Sequence, residues 1–371
     1  MIGGGEGAFI GNVHRMAARL DGRYQLVAGV FSSDAEKTKR SATALGVDPA
    51  RAYPSVDAMI AGEKARADGI EVVSIVTPNH VHYVQSAACL EAGLDVICDK
   101  PLANTLADAR AIQTAAAGRV FCLTHVYAGY PMLRQAAAMV EAGTLGALRA
   151  IQVEYLQAGM SARVEDGPTT AKLRWKLDPA RAGASLVLGD IGTHAFHLAR
   201  MVGGRRLQRL AADLGALVPG RTAHDYGAFL LRFEGDVHGT MTVSQALAGT
   251  ENAITLRIFG ADGHLEWTHA RNNHLTLALQ THPLQILARG DHGLLPPAKR
   301  LVRIARGHPE GFLEAFANLY RDAAEAIAAR ITGTAPDPLA SFPTADDGVE
   351  GLEFIDAALR SRAQGGDWIE V

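Results

Sequence analysis

MIGGGEGAFIG, residues 1–11, places five glycines among eleven residues. Glycine weakens helix and strand interiors, so this density marks a tight turn or a close approach. NVHRMAARL, residues 12–20, follows at once with the spacing of an amphipathic helix. Gly3-x-Gly5-x-x-Ala8 is therefore a glycine turn leading into a helix N-terminus, where bare backbone lets a dinucleotide pyrophosphate approach. Only Met1 and Ile2 precede Gly3, where a strand of about five residues is expected. Either that strand is a stub or the chain starts inside it.

The next hundred residues alternate in type. YQLVAGVF (24–31), IEVVSIVT (70–77), DVICD (95–99) and VFCLTH (120–125) are short apolar runs that predict buried strands. Between them lie helical segments at 33–46, 56–67, 79–93 and 106–118. The helix after the second run opens on Ser33 or Asp34 as N-cap and stops at Gly46. Continuous apolar strands alternating with helices predict a doubly wound parallel sheet covered on both faces. From residue 146 the pattern changes. GALRAIQVEYLQ, RLQRLAADLGAL, DYGAFLLRFEG, VHGTMTVSQAL, AITLRIFGADGHLEWT and HLTLAL are longer and partly alternating, as in an antiparallel sheet with one wetter face. The expected domains are 1–125, for dinucleotide binding, and 126–371, for substrate binding and oligomerisation.

Composition narrows the classes. The 371 residues suffice for about two domains. A net charge of -3 without a basic tract argues against nucleic acid as the main partner. No apolar run approaches the roughly 20 residues of a membrane span, and the start lacks the pattern of a signal peptide. Cys89, Cys98 and Cys122 show no metal spacing and suit a reducing compartment, so a cytoplasmic location is expected.

The ends of the predicted parallel strands are where open α/β sheets bind ligands. Gly3, Gly5, Ala8, Phe9 and Ile10 form the expected phosphate turn. Ser32, Ser33 and Lys37 follow the second strand, where no arginine stands ready for a 2′-phosphate; the reading is NAD, with NADP as the alternative. Thr77, Pro78 and Asn79 form a turn that would meet the ribose or nicotinamide, and His82, Asp99 and Lys100 are counted with the cofactor residues. His80 and His82 read as surface histidines at a helix entry, not as a metal pair, and no metal is expected. Pro101 forces Lys100 out of the helical region, so its ammonium projects from a strand end.

In the second half, Asp190 and His194 stand four apart on a predicted helix, hence on one face. Arg174 and Trp175, within KLRWK just ahead of that helix, are candidates for holding a hydroxyl and stacking on a sugar face. His125 and Tyr127 lie at the expected domain junction, with Tyr130 close by. GHPEGFLEAFANLYRDAAEAIAARI (307–331) reads as a helix with Pro309 in its first position and His308 at its mouth, a further substrate candidate. LLPPAKRLVRIARG (294–307) reads as an exposed basic loop, and residues 351–371 as a helix followed by a short strand docking on the sheet.

IGNVH, VTPNHVH, DKPL and GDIGTHAFHLA together resemble the glucose–fructose oxidoreductase/inositol 2-dehydrogenase (Gfo/Idh/MocA) family over essentially the whole chain. DKP matches the family's Glu-Lys-Pro type motif at Lys100, and GDIGTH its Asp-x-x-x-His motif at Asp190 and His194. The glycine turn looks longer than the family's compact version. The resemblance implies a Rossmann domain and a C-terminal α/β domain with a large, mostly antiparallel open sheet that commonly carries the oligomer interface. One face of that sheet is expected to be too apolar for a monomer to expose, giving a dimer or tetramer.

The residue types suggest oxidation of a secondary hydroxyl, and the resemblance implies a cyclic polyol or sugar as substrate, either inositol-like or an aldopyranose. His194 would be the general base. Lys100 would stabilise charge developing on oxygen, and Asp190 would orient neighbouring hydroxyls. Lys100, Asp190 and His194 also count as substrate-binding residues. The family's NADPH-dependent reductases, NAD-dependent glycosidases and non-catalytic dinucleotide-binding regulators are the alternatives.

Overall fold

The computed structural model describes residues 1–167 and 176–371. The chain divides into two compact units, Met1–Val126 with Leu313–Val349, and Tyr127–Phe312 with Glu350–Val371. The first boundary falls beside the expected one. The assignment of all of 126–371 to one domain is corrected, because residues 313–349 group with the first unit. Buried polar contacts hold them there: His14 Nδ1 meets the Tyr320 hydroxyl at 2.8 Å, and Arg330 donates to Asp95 at 2.8 Å.

In the first unit β1 (Ile2–Gly3), β2 (Val72–Val76), β3 (Asp95–Cys98) and β4 (Phe121–Leu123) form a parallel sheet in that order. β1 is a two-residue stub. The strand expected over 24–31 is not regular; it survives as single parallel bridges, Ile2 to Val30 and Gly29 to Ala52. A two-residue neighbour offers little to pair with, so the ladder is short: Gly3 donates to Val30 O at 2.8 Å and Gly5 to Phe31 O at 3.0 Å. With the bridges included, the spatial order is Ala52, Val30, β1, β2, β3, β4, which is that of a doubly wound dinucleotide-binding sheet.

Within Met1–Val126 lie the helices α1 (Phe9–Leu20), α2 (Ala35–Leu45), α3 (Val56–Lys64), α4 (His82–Glu91) and α5 (Leu106–Ala115). Asp34, Ser55 and Thr105 cap α2, α3 and α5 with side-chain oxygens. Gly46 closes α2 in the left-handed region at φ 71°.

The second unit opens with α6 (Pro131–Glu141), a helix absent from the sequence reading although Pro131 occupies its first turn. Nine strands follow in one sheet: β5 (Leu148–Gln157), β6 (Leu207–Gly215), β7 (Tyr226–Phe233), β8 (Val237–Ser244), β9 (Asn252–Gly260), β10 (Gly263–Thr268), β11 (His274–Leu279), β12 (Gln285–Ala288) and β13 (Ile369–Glu370). The order is β12-β11-β10-β9-β5-β8-β7-β6-β13. β5 and β8 run parallel; every other pair is antiparallel.

Alternation is clear along these strands. Ile151, Val153, Tyr155, Met241, Val243, Leu256 and Ile258 are buried, while Gln152, Glu154, His238 and Thr240 between them are exposed. The outer face is thus largely polar and threonine-bearing, with Leu230 and Ile286 as large apolar exceptions, each 51% exposed. This corrects the expectation of a strongly apolar open face.

α7 (Thr193–Gly203) packs on the sheet and is entered through a π-turn, Leu188–Gly192. The simple α-helix expected from Asp190 is thereby corrected. α8 spans Phe312–Thr332 and begins later than Pro309, because Glu310 accepts from Arg289 and from the Arg303 and Ile304 amides, holding its surroundings as a loop. The basic stretch 294–307 is not simply exposed: it contains a helical turn, Pro296–Lys299, and Leu294, Ala298 and Leu301 are buried. α9 (Ala345–Ala363) precedes β13, which pairs with β6 as expected.

Candidate active site

In the first unit the parallel strands direct three turns to one edge. Gly3 pairs with Val76, and a Cβ on Gly3 would stand 2.9 Å from Thr77 Cγ2, so the glycine turn and the Thr77 turn touch. Gly3 has φ 79°, a conformation that L side chains rarely adopt. At Gly5 a Cβ would lie 2.6 Å from Phe31 O and 2.8 Å from Ser41 Oγ. Ala8, the N-cap of α1, provides no side-chain cap, and the first turn of α1 has no acid. The positive end of the helix is thus left to an anion. Gly5, Gly7, Ala8, Phe9 and Arg40 line a cleft of about 650 Å³ beside this helix end. Phe9 is 66% exposed there, whereas Ile10 turns inward against the core. The uncapped helix end and the bare turn fit a dinucleotide pyrophosphate.

After Phe31, the Thr38 hydroxyl bonds both the amide and the carbonyl of Ser32 at 3.0 Å, fixing the turn. Asp34 caps α2 by accepting from the Lys37 amide at 2.8 Å, which holds its carboxyl below its ordinary value. Ser33 is exposed and Lys37 half-buried. Thr77 Oγ1 donates to Gln85 at 2.6 Å, and Pro78 and Asn79 are half-buried beside it. Asp99 Oδ1 accepts from the Lys100 amide at 2.9 Å and from the Thr124 hydroxyl at 3.1 Å, bracing the root of the lysine. His82 is fully buried, which corrects its reading as a surface histidine. His125 is also buried.

In the second unit the site is assembled across strands. Asp190 Oδ2, in the π-turn, accepts from Lys176 Nζ at 2.6 Å and from Gln245 Nε2 at 2.8 Å. Such widened turns recur at functional positions. Gln245 also reaches Gln157, which donates to the Tyr155 hydroxyl at 3.2 Å and to Asn252 at 2.7 Å. The hydroxyls of Tyr155 and Tyr127 lie 2.9 Å apart. The Tyr127 ring meets His194 edge-on, with centroids 5.1 Å apart at 83°. Burial raises the pKa of both tyrosines, so they remain neutral hydrogen-bonding groups. His269 Nδ1 donates to the Asn252 carbonyl at 3.0 Å, and burial lowers its pKa.

Asp190, His194 and Tyr127 are therefore brought together by one network. His308 lies on an exposed loop whose carbonyl is held by Arg289, and the network does not include it. Arg174 and Trp175 fall outside the described residues. The sequence reading passed over Tyr155, Gln157, Gln245, Asn252 and His269, and weighed Lys176 only as part of KLRWK. No single stretch signals them. They meet because β5 pairs with β8 and β9, setting Gln157 opposite Asn252. Among the described residues no cluster of three or more His, Cys, Asp or Glu is arranged to hold a metal, and no helix is long and apolar enough to cross a membrane.

Residues 1–127 match the oxidoreductase family with an NAD-binding Rossmann fold, and residues 133–266 match the GFO/IDH/MocA C-terminal domain. The chain belongs to the Gfo/Idh/MocA oxidoreductase family. It is 37% identical to the uncharacterized oxidoreductase YfiI of Bacillus subtilis (strain 168), over 100% of this chain and 95% of the relative. The crystal structure of an inositol dehydrogenase homologue from Azotobacter vinelandii, complexed with NAD+, superposes with a TM-score of 0.95 at 36% identity, covering 100% of this chain and 96% of that one. Levoglucosan dehydrogenase of Pseudarthrobacter phenanthrenivorans is 26% identical over 68% of this chain and 75% of its own length. The protein is an NAD-dependent oxidoreductase of this family.

Proposed function

We propose that the substrate is a cyclic polyol or an aldopyranose and that one of its secondary hydroxyls is oxidised. The observation that carries this reading is the network around Asp190, in which carboxylate, amide and phenol groups converge near an imidazole. Such a surface suits a ligand with several adjacent hydroxyls. NAD, when bound, supplies the hydride acceptor. His194 takes the hydroxyl proton as general base. Lys100 stabilises the negative charge that develops on the same oxygen. Asp190, its direction fixed by Lys176 and Gln245, orients neighbouring hydroxyls.

In this reading Gly3, Gly5, Ala8, Phe9 and Ile10 serve the pyrophosphate end, Ser32, Ser33 and Lys37 the adenosine ribose, and Thr77, Pro78, Asn79, His82 and Asp99 the nicotinamide side. His125 and Tyr127 join the substrate residues. The protein acts in the cytoplasm, where its three buried thiols stay reduced, and assembles as a dimer or tetramer. A panel of inositols and monosaccharides, followed by nicotinamide absorbance with NAD and with NADP, tests the reading. Turnover of at least one cyclic polyol with NAD is expected. Release of sugar from glycosides without net NADH would replace it with the glycosidase alternative.

A further inference from the structure

His82 sits at the first position of α4 and is fully buried. Its Nε2 lies 2.9 Å from the carbonyl of Thr77, and its Nδ1 lies 2.8 Å from the carbonyl of Pro101. The two carbonyls belong to different ligand-facing turns, one after β2 and the other beside Lys100. Both are acceptors, and a carbonyl cannot donate. A neutral imidazole carries one N–H and one lone pair, so it satisfies one of these contacts and sets a lone pair against the other oxygen. Only the ring with protons on both nitrogens makes both bonds.

We propose that His82 is a positioning residue, a proton-controlled clasp that ties the Thr77 turn to the Lys100–Pro101 turn. With two protons it binds both turns; with one it releases a tie. The proposal rests on the reading of these turns as the nicotinamide side of the site.

The surroundings set the balance of this clasp. Burial lowers the His82 pKa from its ordinary value, while the Pro101 carbonyl, the Asp99 carboxylate and the Thr77 carbonyl push it up; the Lys100 ammonium adds a smaller lowering. His14 of α1 is the other titratable ring near it, itself pushed down to about 4 by burial and so neutral at working pH. The Cys98 thiol, behind the same helix at Ser86, is raised by burial and stays uncharged. Asp99 is thus the anion favouring the doubly protonated ring, and it is also the carboxylate bracing the Lys100 amide. The sign follows. The net lowering places the two-armed form on the acid side of neutrality, so the tie strengthens as pH falls. A ligand that needs both turns in register raises the His82 pKa by the same free energy by which protonation favours the ligand.

Two measurements on the full chain test this. Histidine-selective ¹⁵N labelling, with His82 assigned by its absence from His82→Gln, reports protons on each ring nitrogen directly. Two proton-bearing nitrogens at mildly acidic pH are expected, and a ring that stays singly protonated until the protein unfolds overturns the proposal. This decides the matter even where no cofactor binds. Calorimetric titration with NAD, without substrate, gives the second readout. Affinity should rise by about three- to tenfold between about pH 8 and about pH 5.5 in the wild type, relative to His82→Gln. Glutamine does not titrate, and groups common to both proteins cancel in the comparison. Superimposable profiles overturn the clasp while leaving NAD binding intact. Loss of NAD binding at every pH would instead count against the cofactor reading.

Discussion

The two units assemble their candidate residues in opposite ways. In the first, each ligand-facing turn is a run of adjacent residues: the glycine turn, the Thr77 turn and the Asp99–Pro101 turn each follow one parallel strand. In the second, only the Asp190–His194 segment is contiguous; Tyr155 and Gln157 come from β5, Asn252 from β9 and Gln245 from just past the end of β8, and the pairing of these strands brings them together. The difference has a physical origin. A parallel sheet sends the carboxyl ends of its strands to one edge, so local motifs suffice. The mixed sheet needs register to bring its polar side chains together, and register is a property of pairs of strands.

This contrast predicts that the units fail differently. The largest effect is expected from His194→Ala, which should lower kcat by about 10²–10⁴-fold, the usual worth of a positioned acid–base group. Calorimetry should find NAD affinity nearly unchanged, since His194 lies in the second unit. A parallel loss of NAD binding would erase the contrast. Gly5→Ala should do the reverse. Its Cβ meets the rigid Phe31 carbonyl at 2.6 Å, and overpacking of this kind costs about 1–3 kcal/mol. NAD binding should weaken by roughly ten- to hundredfold, with kcat at saturating NAD less affected. Unchanged NAD affinity would remove the glycine turn from the site. A smaller effect belongs to Lys176→Met, which frees the Asp190 carboxylate from a half-exposed ion pair. KM for the polyol should rise by up to about tenfold, with kcat moving less. If kcat falls while KM holds, Lys176 acts in the chemical step.

Legibility followed the same division. Alternating apolar runs and helices predicted the doubly wound unit; Gly46 marked the end of α2, and its cap was narrowed to Ser33 or Asp34, of which the structure uses Asp34. The run 24–31 nevertheless looked like a full strand, because apolar content reports burial and not how many partners a neighbouring stub provides. The return of residues 313–349 to the first unit was invisible, since contacts such as Arg330 with Asp95 are tertiary. Asp190 and His194 were legible from their spacing, but the π-turn that carries Asp190 was not. The outer face of the large sheet looked apolar in outline. Its residues read one by one, including Gln152, Glu154 and Thr240, are those of a wetter face. His82 was legible as a histidine at a helix start, yet its burial between two carbonyls depends on turns from two different strands.

Hydride transfer from a ring carbon to the nicotinamide is the central claim, and isotopic transfer tests it most directly. The protein, NAD and each of a panel of carbon-deuterated inositols and aldopyranoses are incubated, and the reduced cofactor is examined by mass spectrometry. The account predicts that NADH formed from at least one of these substrates carries the deuterium label. Reduced cofactor without label, or no reduction with any member of the panel, would contradict it.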